Sequence, residues 1–335
     1  MKYFGQPHDI NNSHDKVGVL IANLGTPDAP KCPKLRKYLT QFLTDPRVIE
    51  LPCPLRQFLV RCIIINVRAH KSAAAYRTVW TDEGSPLMVH SQNLAEQVRH
   101  SLGDQFLVEV GMRYGKPSID SAIKALHGQG CRKLIVLPMY PQYSGSTSGS
   151  IMDAVGKALK KIRWVPHTHF ISDYFQQEQY IDALCNSIQA HWKTHGKSEK
   201  LVFSFHGIPQ RYVRNGDPYQ SHCEKTVAAV CNKLKLNDEE FLLVYQSRVG
   251  KEPWLQPYCD ETMQSLPKKG VENIDVICPG FSADCLETIE EIDEENKKYF
   301  LDAGGKSYRY IECLNSSLDH SKLVDSLIKK VALAF

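Results

Sequence analysis

The sequence predicts an α/β protein of two similar domains, each an open parallel sheet of four strands flanked by helices, the two facing one another across a cleft. Three observations carry this. Eight short runs rich in β-branched and aromatic residues alternate with helix-patterned segments, the order that βαβ units and parallel sheets require. The runs fall four to each half of the chain. The 335 residues are the length of two domains at about 150 residues each.

The first strand is read over residues 16–24 (KVGVLIANL), a continuous apolar run closed by Gly25, Thr26 and Pro27. Three more follow at 106–112, 133–138 and 166–171, with helical spacing over 87–102 and 118–127. The second half offers strands at 200–205, 241–245, 273–278 and 307–311, and helices over 179–195 and 219–235. This gives domains of 1–173 and 174–317. A last helix, over 318–332 of the C-terminal stretch 318–335, can pack on either half, including back onto the first domain. No internal sequence repeat supports a duplication.

Hydrophobic content of 42% and charged content of 23% suit a globular protein with a sizeable core. A net charge of +4 argues against a dedicated nucleic-acid binder while allowing a local anion site. Eleven cysteines stand singly, without CxxC or zinc-ribbon spacing, which points to a reducing compartment rather than a disulfide framework. The first sixteen residues (MKYFGQPHDINNSHDK) lack the apolar core of an export signal. No run reaches the ~18 apolar residues that a spanning helix needs. The expectation is a cytoplasmic protein with no obligate protein partner in evidence.

One stretch departs from the rhythm. Residues 40–71 are apolar yet carry Arg47, Arg56, Arg61, Arg68 and Lys71. A helix pair buried under the domain explains this as well as a greasy lip over a pocket, with the basic side chains snorkelling outward.

Two stretches carry the chemistry. In residues 201–209 (LVFSFHGIP) a buried strand delivers His206 into a loop broken by Gly207 and Pro209. In an open parallel sheet such loops form the ligand crevice, and a neutral imidazole there is a base or a metal ligand. A hydrogen-bonded histidine closing a strand reads equally well from this stretch alone. Residues 278–296 (CPGFSADCLETIEEIDEEN) run from strand through loop into helix, with Ser282 or Asp284 as N-cap. At 3.6 residues per turn, Asp284, Glu287, Glu290, Glu291 and Glu294 share one arc. That arc is a solvated face or a path for divalent cations, which select oxygen ligands.

A third junction, residues 137–150 (LPMYPQYSGSTSGS), offers a hydroxyl-rich turn to an anion, and Tyr140 and Tyr143 suit a flat apolar ligand or ordinary core. It lacks the spacing of a nucleotide-binding loop. Arg113 and Tyr114 end another strand, and Trp254 stands on a Pro-punctuated loop.

The set NLGTP (23–27), GMRYG (111–115), the 137–150 stretch, SFHGIP (204–209), QSRVGKEPWLQPYCDET (246–262) and CPGFSADCLETIEEI (278–292), in this order and spacing, resembles ferrochelatase of the proteobacterial type. The likeness covers nearly the whole chain from about Val17. It implies a chelatase-like fold of two Rossmann-like halves and a lyase that inserts Fe2+ into protoporphyrin IX, the last step of haem synthesis. Fe2+ is then a substrate, and no cofactor is required. The family's essential histidine falls on His206 and its essential glutamate on Glu287, with Glu291 next along an acidic ridge; these three are the candidate metal residues. Porphyrin contacts fall on Leu24, Arg113, Tyr114, Ser144, Ser146, Thr147 and Trp254, to which Tyr143 is added, and residues 40–71 match the family's hydrophobic mouth.

Departures from the family pattern shape two expectations. Cys285 stands where many relatives carry a histidine, which puts a metal role there in doubt. Some relatives hold an iron–sulfur cluster through a cysteine in the turn that here contains Gly145, together with a C-terminal cysteine trio that this sequence lacks, so no cluster is expected. Leu24, where coproporphyrin enzymes carry tyrosine, favours protoporphyrin. The rivals are a porphyrin or haem carrier without turnover and a chelatase for Co2+ or coproporphyrin. Transient contact with a membrane, or with the enzyme that supplies the porphyrin, stays open.

Overall fold

The structure, a computed structural model, describes residues 3–4 and 16–335. The reading of the first sixteen residues therefore lies almost wholly outside the described residues. The chain divides into two compact units: unit 1 comprises Met1–Met139, Gly145–Asp173 and Ser321–Phe335, and unit 2 comprises Tyr140–Ser144 and Tyr174–His320.

Unit 1 is built on β1 (Val17–Thr26), β2 (Phe106–Gly115), β3 (Lys133–Pro138) and β4 (His167–Phe170), all parallel in the order β2-β1-β3-β4. Its helices are α1 (Cys32–Leu43), α2 (Cys53–Phe58), α3 (Ile65–Val79), α4 (Pro86–Leu102), α5 (Ile119–Gly128) and α6 (Ser150–Leu159). β1 is buried almost throughout, as a central strand covered on both faces must be, which is why its sequence reads as an unbroken apolar run. It continues through Gly25 and Thr26, the residues expected to close it. Gly25 has φ +107°, and a Cβ there would lie 1.8 Å from the Tyr114 carbonyl oxygen. Only glycine lets the two backbones come this close, so Gly25 pairs with Tyr114 and Thr26 with Gly115. β2 is longer than its apolar run for the same reason.

Unit 2 repeats the arrangement with β5 (Lys200–His206), β6 (Phe241–Gln246), β7 (Asn273–Ile277) and β8 (Ser307–Ile311), parallel in the order β6-β5-β7-β8. Its helices are α7 (Glu178–His195), α8 (Gln210–Arg214), α9 (Tyr219–Leu234), α10 (Cys259–Ser265) and α11 (Lys297–Asp302). The final helix, α12 (Leu318–Ala332), starts in unit 2 and joins unit 1 from Ser321 onward. There Asp325 accepts a hydrogen bond from Ser101 at the end of α4. In each sheet the first strand in the chain lies between the second and the third. The connection after the first strand runs to one side of the sheet and that after the third to the other, and ligands bind at such a switch point, beyond the strands' C-terminal ends. This singles out the loops after β1 and β3, and after β5 and β7.

Residues 40–71 are not a fully buried helix pair. From Cys53 to Val79 the backbone is one continuous rod: α2, a wider π-helical stretch over Leu59–Ile64, then α3. Val60, Ile65, Ala69 and Ala73 are buried, while Leu55, Phe58, Ile63 and Val67 are 52%, 60%, 49% and 74% exposed. Arg61, Arg68 and Lys71 are exposed, but Arg56 does not snorkel. It turns inward and donates to the carbonyls of Ile49 and Leu51, at 3.4 and 2.7 Å, satisfying backbone acceptors of the preceding loop. No helix among the described residues is long and apolar enough to cross a membrane.

Candidate active site

His206 is the last residue of β5 and half-buried. Its Nδ1 lies 2.7 Å from the carbonyl oxygen of Gly207. A carbonyl can only accept, so Nδ1 carries the hydrogen and Nε2 presents its lone pair. Gly207 donates its N–H to the Gln246 carbonyl at 2.8 Å. A Cβ on Gly207 would come within 2.9 Å of that oxygen and 3.2 Å of the Trp254 ring. Its absence seats Trp254 against the histidine's loop. The seat is tied by the Pro209–Trp254 bridge and by Leu255 N–H to the Ile208 carbonyl, at 3.0 Å. Phe281 closes one side, its ring centroid 6.5 Å from that of His206.

The acidic helix differs from its expected form. It begins at Leu286 and is π-helical over Glu287–Asn296. Asp284 is off the helix: its buried carboxylate accepts from Tyr310 Oη, Thr288 Oγ1 and Asn315 Nδ2, at 2.7, 2.9 and 2.6 Å. Neither it nor Ser282 caps the helix through a side chain. Side chains supply what the wider turn needs, since Asn296 Nδ2 donates to the Glu291 carbonyl at 2.7 Å and Tyr308 Oη to that of Ile292 at 2.6 Å. Such turns are rare and concentrate at functional sites.

Gln246, at the end of β6, is buried. Its Oε1 accepts from Ser204 at 2.8 Å, and its Nε2 donates to the Glu287 carbonyl at 2.9 Å and to Glu291 Oε2 at 3.4 Å. Ser247 donates its N–H to Glu291 Oε1 at 2.7 Å and its hydroxyl to Oε2. Burial pushes the Glu291 carboxyl up from its ordinary value; the Ser247 bonds and the nearby His206 pull it down, and Glu287 pushes it up again. Glu291 thus feels both His206 and Glu287. The Cys285 thiol is also pushed well up, by burial first and then by the charge of Glu287.

Other candidates lie in unit 1 or in the Tyr140–Ser144 segment of unit 2. Leu24 is half-buried near the end of β1. Arg113 is ion-paired with the buried Asp45, and its Nε donates to Ser150 O and Oγ at 2.9 and 2.6 Å. Tyr114 is 1% exposed, with its hydroxyl donated to Asp45 at 2.8 Å, and the Arg113 guanidinium lies 4.6 Å from its ring centroid. Burial alone would raise the Asp45 carboxyl. Ser150, the Arg47 N–H, Arg113 and Tyr114 together hold it below its ordinary value. Tyr143 and Ser144 belong to unit 2, where Tyr143 N–H donates to His222 Nδ1 at 3.2 Å and Ser144 Oγ to Asp217 at 2.9 Å. Ser146 and Thr147 lie half-buried in a further π-helical turn, Gly145–Gly149, in unit 1.

Sequence reasoning assigned no role to Asp45, Ser150, Gln246 or Ser247. Ser247 stood inside a quoted motif, but nothing in the sequence announces its backbone conformation. Among the described residues, no three His, Cys, Asp or Glu side chains converge as a preformed metal site.

Comparison with known proteins identifies the family and the fold. A ferrochelatase from Pseudoalteromonas atlantica is 50% identical over 334 residues, covering 98% of this chain and 93% of the relative. One from Alcanivorax borkumensis is 49% identical, covering 98% of each. Among solved structures, the sirohydrochlorin chelatase SirB from Bacillus subtilis subspecies spizizenii, in complex with cobalt, superposes with a TM-score of 0.56 at 10% identity, over 95% of both chains. CbiX, described as the terminal enzyme of sirohaem biosynthesis in denitrifying bacteria, gives 0.51 at 12% identity, over 94% of this chain and 98% of its own. At such identities these two speak for the fold alone. The Ferrochelatase family model matches residues 16–332, and the chain belongs to the ferrochelatase family, metal-ion chelatases of the lyase class that serve haem synthesis.

Proposed function

We propose that the chain inserts Fe2+ into protoporphyrin IX to give protohaem, with His206 as the base and Glu287 and Glu291 receiving the metal. The observation that carries this is the His206 ring: Nδ1 is engaged by Gly207, so Nε2 is a fixed acceptor at the end of a rigid strand. Insertion removes two pyrrole N–H protons as one Fe2+ enters, with no change of oxidation state. A base positioned on one face takes each proton as its nitrogen lone pair turns to the metal. Hard carboxylate oxygens suit the incoming ion. A pocket that fits a bent macrocycle better than a flat one lowers the barrier by differential binding.

Leu24, Tyr143, Ser146, Thr147 and Trp254 supply contacts to the macrocycle. Arg113, neutralised by Asp45, contributes hydrogen bonds more than net charge. The reaction needs no resident cofactor, and Gly145 offers no ligand to an iron–sulfur cluster. A carrier would have the same need for a pocket but none for a base beside two acids. The exposed Leu55, Phe58, Ile63 and Val67, with Arg61, Arg68 and Lys71 on the same rod, favour a second role, peripheral docking on an anionic bilayer by an otherwise cytoplasmic enzyme.

The test is an anaerobic assay of the pure protein with Fe2+ and either protoporphyrin or coproporphyrin. Fast turnover of protoporphyrin by a colourless preparation free of acid-labile sulfide is expected. No turnover would leave the carrier reading, and equal or faster turnover of coproporphyrin would overturn the assigned substrate.

A further inference from the structure

Ser247 follows β6 with φ +66°, a left-handed conformation that glycine adopts without strain and serine does not. The conformation has a visible result. Both donors of this one residue point at Glu291, the N–H at Oε1 and the hydroxyl at Oε2, so the carboxylate is held at both oxygens. Ser247 also opens the segment that carries Trp254 back to Pro209, beside His206. One residue therefore joins the acidic helix to the loop that packs on the histidine.

We infer that Ser247 is a positioning residue for metal insertion, holding the Glu291 carboxylate at the angle where Fe2+ is received. This rests on the reading of Glu291 as a metal-receiving acid. Glycine would remove the strain and keep the N–H bond, but it cannot supply the hydroxyl. The hydroxyl is then what a serine contributes at this turn.

Three variants test the inference: Ser247→Gly, Ser247→Ala and Glu291→Gln, each measured for thermal stability, porphyrin binding by fluorescence, and KM and kcat at varied Fe2+. Ser247→Gly relieves the backbone and should melt at or above the wild-type temperature, while Ser247→Ala keeps the strain and should melt below it. Despite these opposite shifts, both should raise KM for Fe2+ by roughly 10-fold, the scale of one charge-assisted hydrogen bond, with KM for porphyrin unchanged. A merely structural serine would make Ser247→Gly as good as wild type in every assay, and that result overturns the inference. Glu291→Gln separates the two failures. If it impairs Fe2+ use while Ser247→Gly does not, the clamp fails and the reading of Glu291 stands. If Glu291→Gln is itself indifferent, the reading of Glu291 fails and takes the inference with it.

Discussion

At the strand ends of unit 1 the charged side chains answer one another. Asp45 gathers Arg113, Tyr114 and Ser150, and the guanidinium arrives already neutralised. At the strand ends of unit 2 the chemistry is held by dipoles instead: Gly207's carbonyl orients His206, Gln246 takes the Glu287 carbonyl, and Ser247 the Glu291 carboxylate. The two sheets have the same strand order. Topology places a crevice in both, and the residues on the loops decide that one is electrostatically closed while the other holds an imidazole and two glutamates without a cationic partner among these contacts.

The largest effect that could break this contrast is on turnover. His206→Ala and Glu287→Gln should each lower kcat by about 10²–10⁴-fold, the range of general acid–base catalysis, while porphyrin binding measured by fluorescence stays near wild type. Because groups acting as a unit are non-additive, the double variant should be little worse than either single one. A fully active Glu287→Gln would make the acidic helix an ordinary solvated face.

A smaller effect, on stability, is expected from Asp45→Asn in unit 1. Removing one partner of a buried ion pair costs on the order of 3 kcal/mol, read as a lower midpoint in denaturant. Asp45's carboxyl is held below its ordinary value, so its stabilisation is complete above that value and fades as pH falls through the lower folded one. The gap between variant and wild type should therefore narrow below about pH 4. Turnover of the folded variant should stay within a few-fold of wild type. A loss comparable to that of His206→Ala would place Asp45 in the chemistry and erase the contrast.

The smallest effect on the fold should come from Ile63→Asp, at an exposed position of the rod, with stability unchanged within about half a kcal/mol. Flotation with vesicles rich in anionic lipid should nevertheless be reduced. If the variant unfolds, the rod is core; if it binds vesicles as wild type does, the exposed face is not a docking surface.

Much of the fold was legible because parallel strands covered on both faces demand continuous apolar runs. All eight were readable, and β3 and β8 have the residues expected of them. The errors at the ends of β1 and β2 came from reading Gly25 as a breaker, when its missing Cβ in fact prolongs the pairing. His206 was visible because it ends such a run. The π-helical turns were not, since no local pattern encodes them: the donors Asn296 and Tyr308 reach the Glu291 and Ile292 carbonyls through tertiary contact. Asp45 gave no signal because its partners Arg113 and Ser150 lie 68 and 105 residues away.

The Gly207 carbonyl has one more consequence. With Nδ1 held, His206 is a single-port device: a proton accepted at Nε2 leaves by the same atom, with no exit through the far side of the ring. Two pyrrole protons cannot then pass through it as a bucket brigade. In the proposed reaction the histidine must be emptied between the first and the second, making porphyrin deprotonation a two-stroke cycle whose interval depends on whatever water or carboxylate empties that one nitrogen.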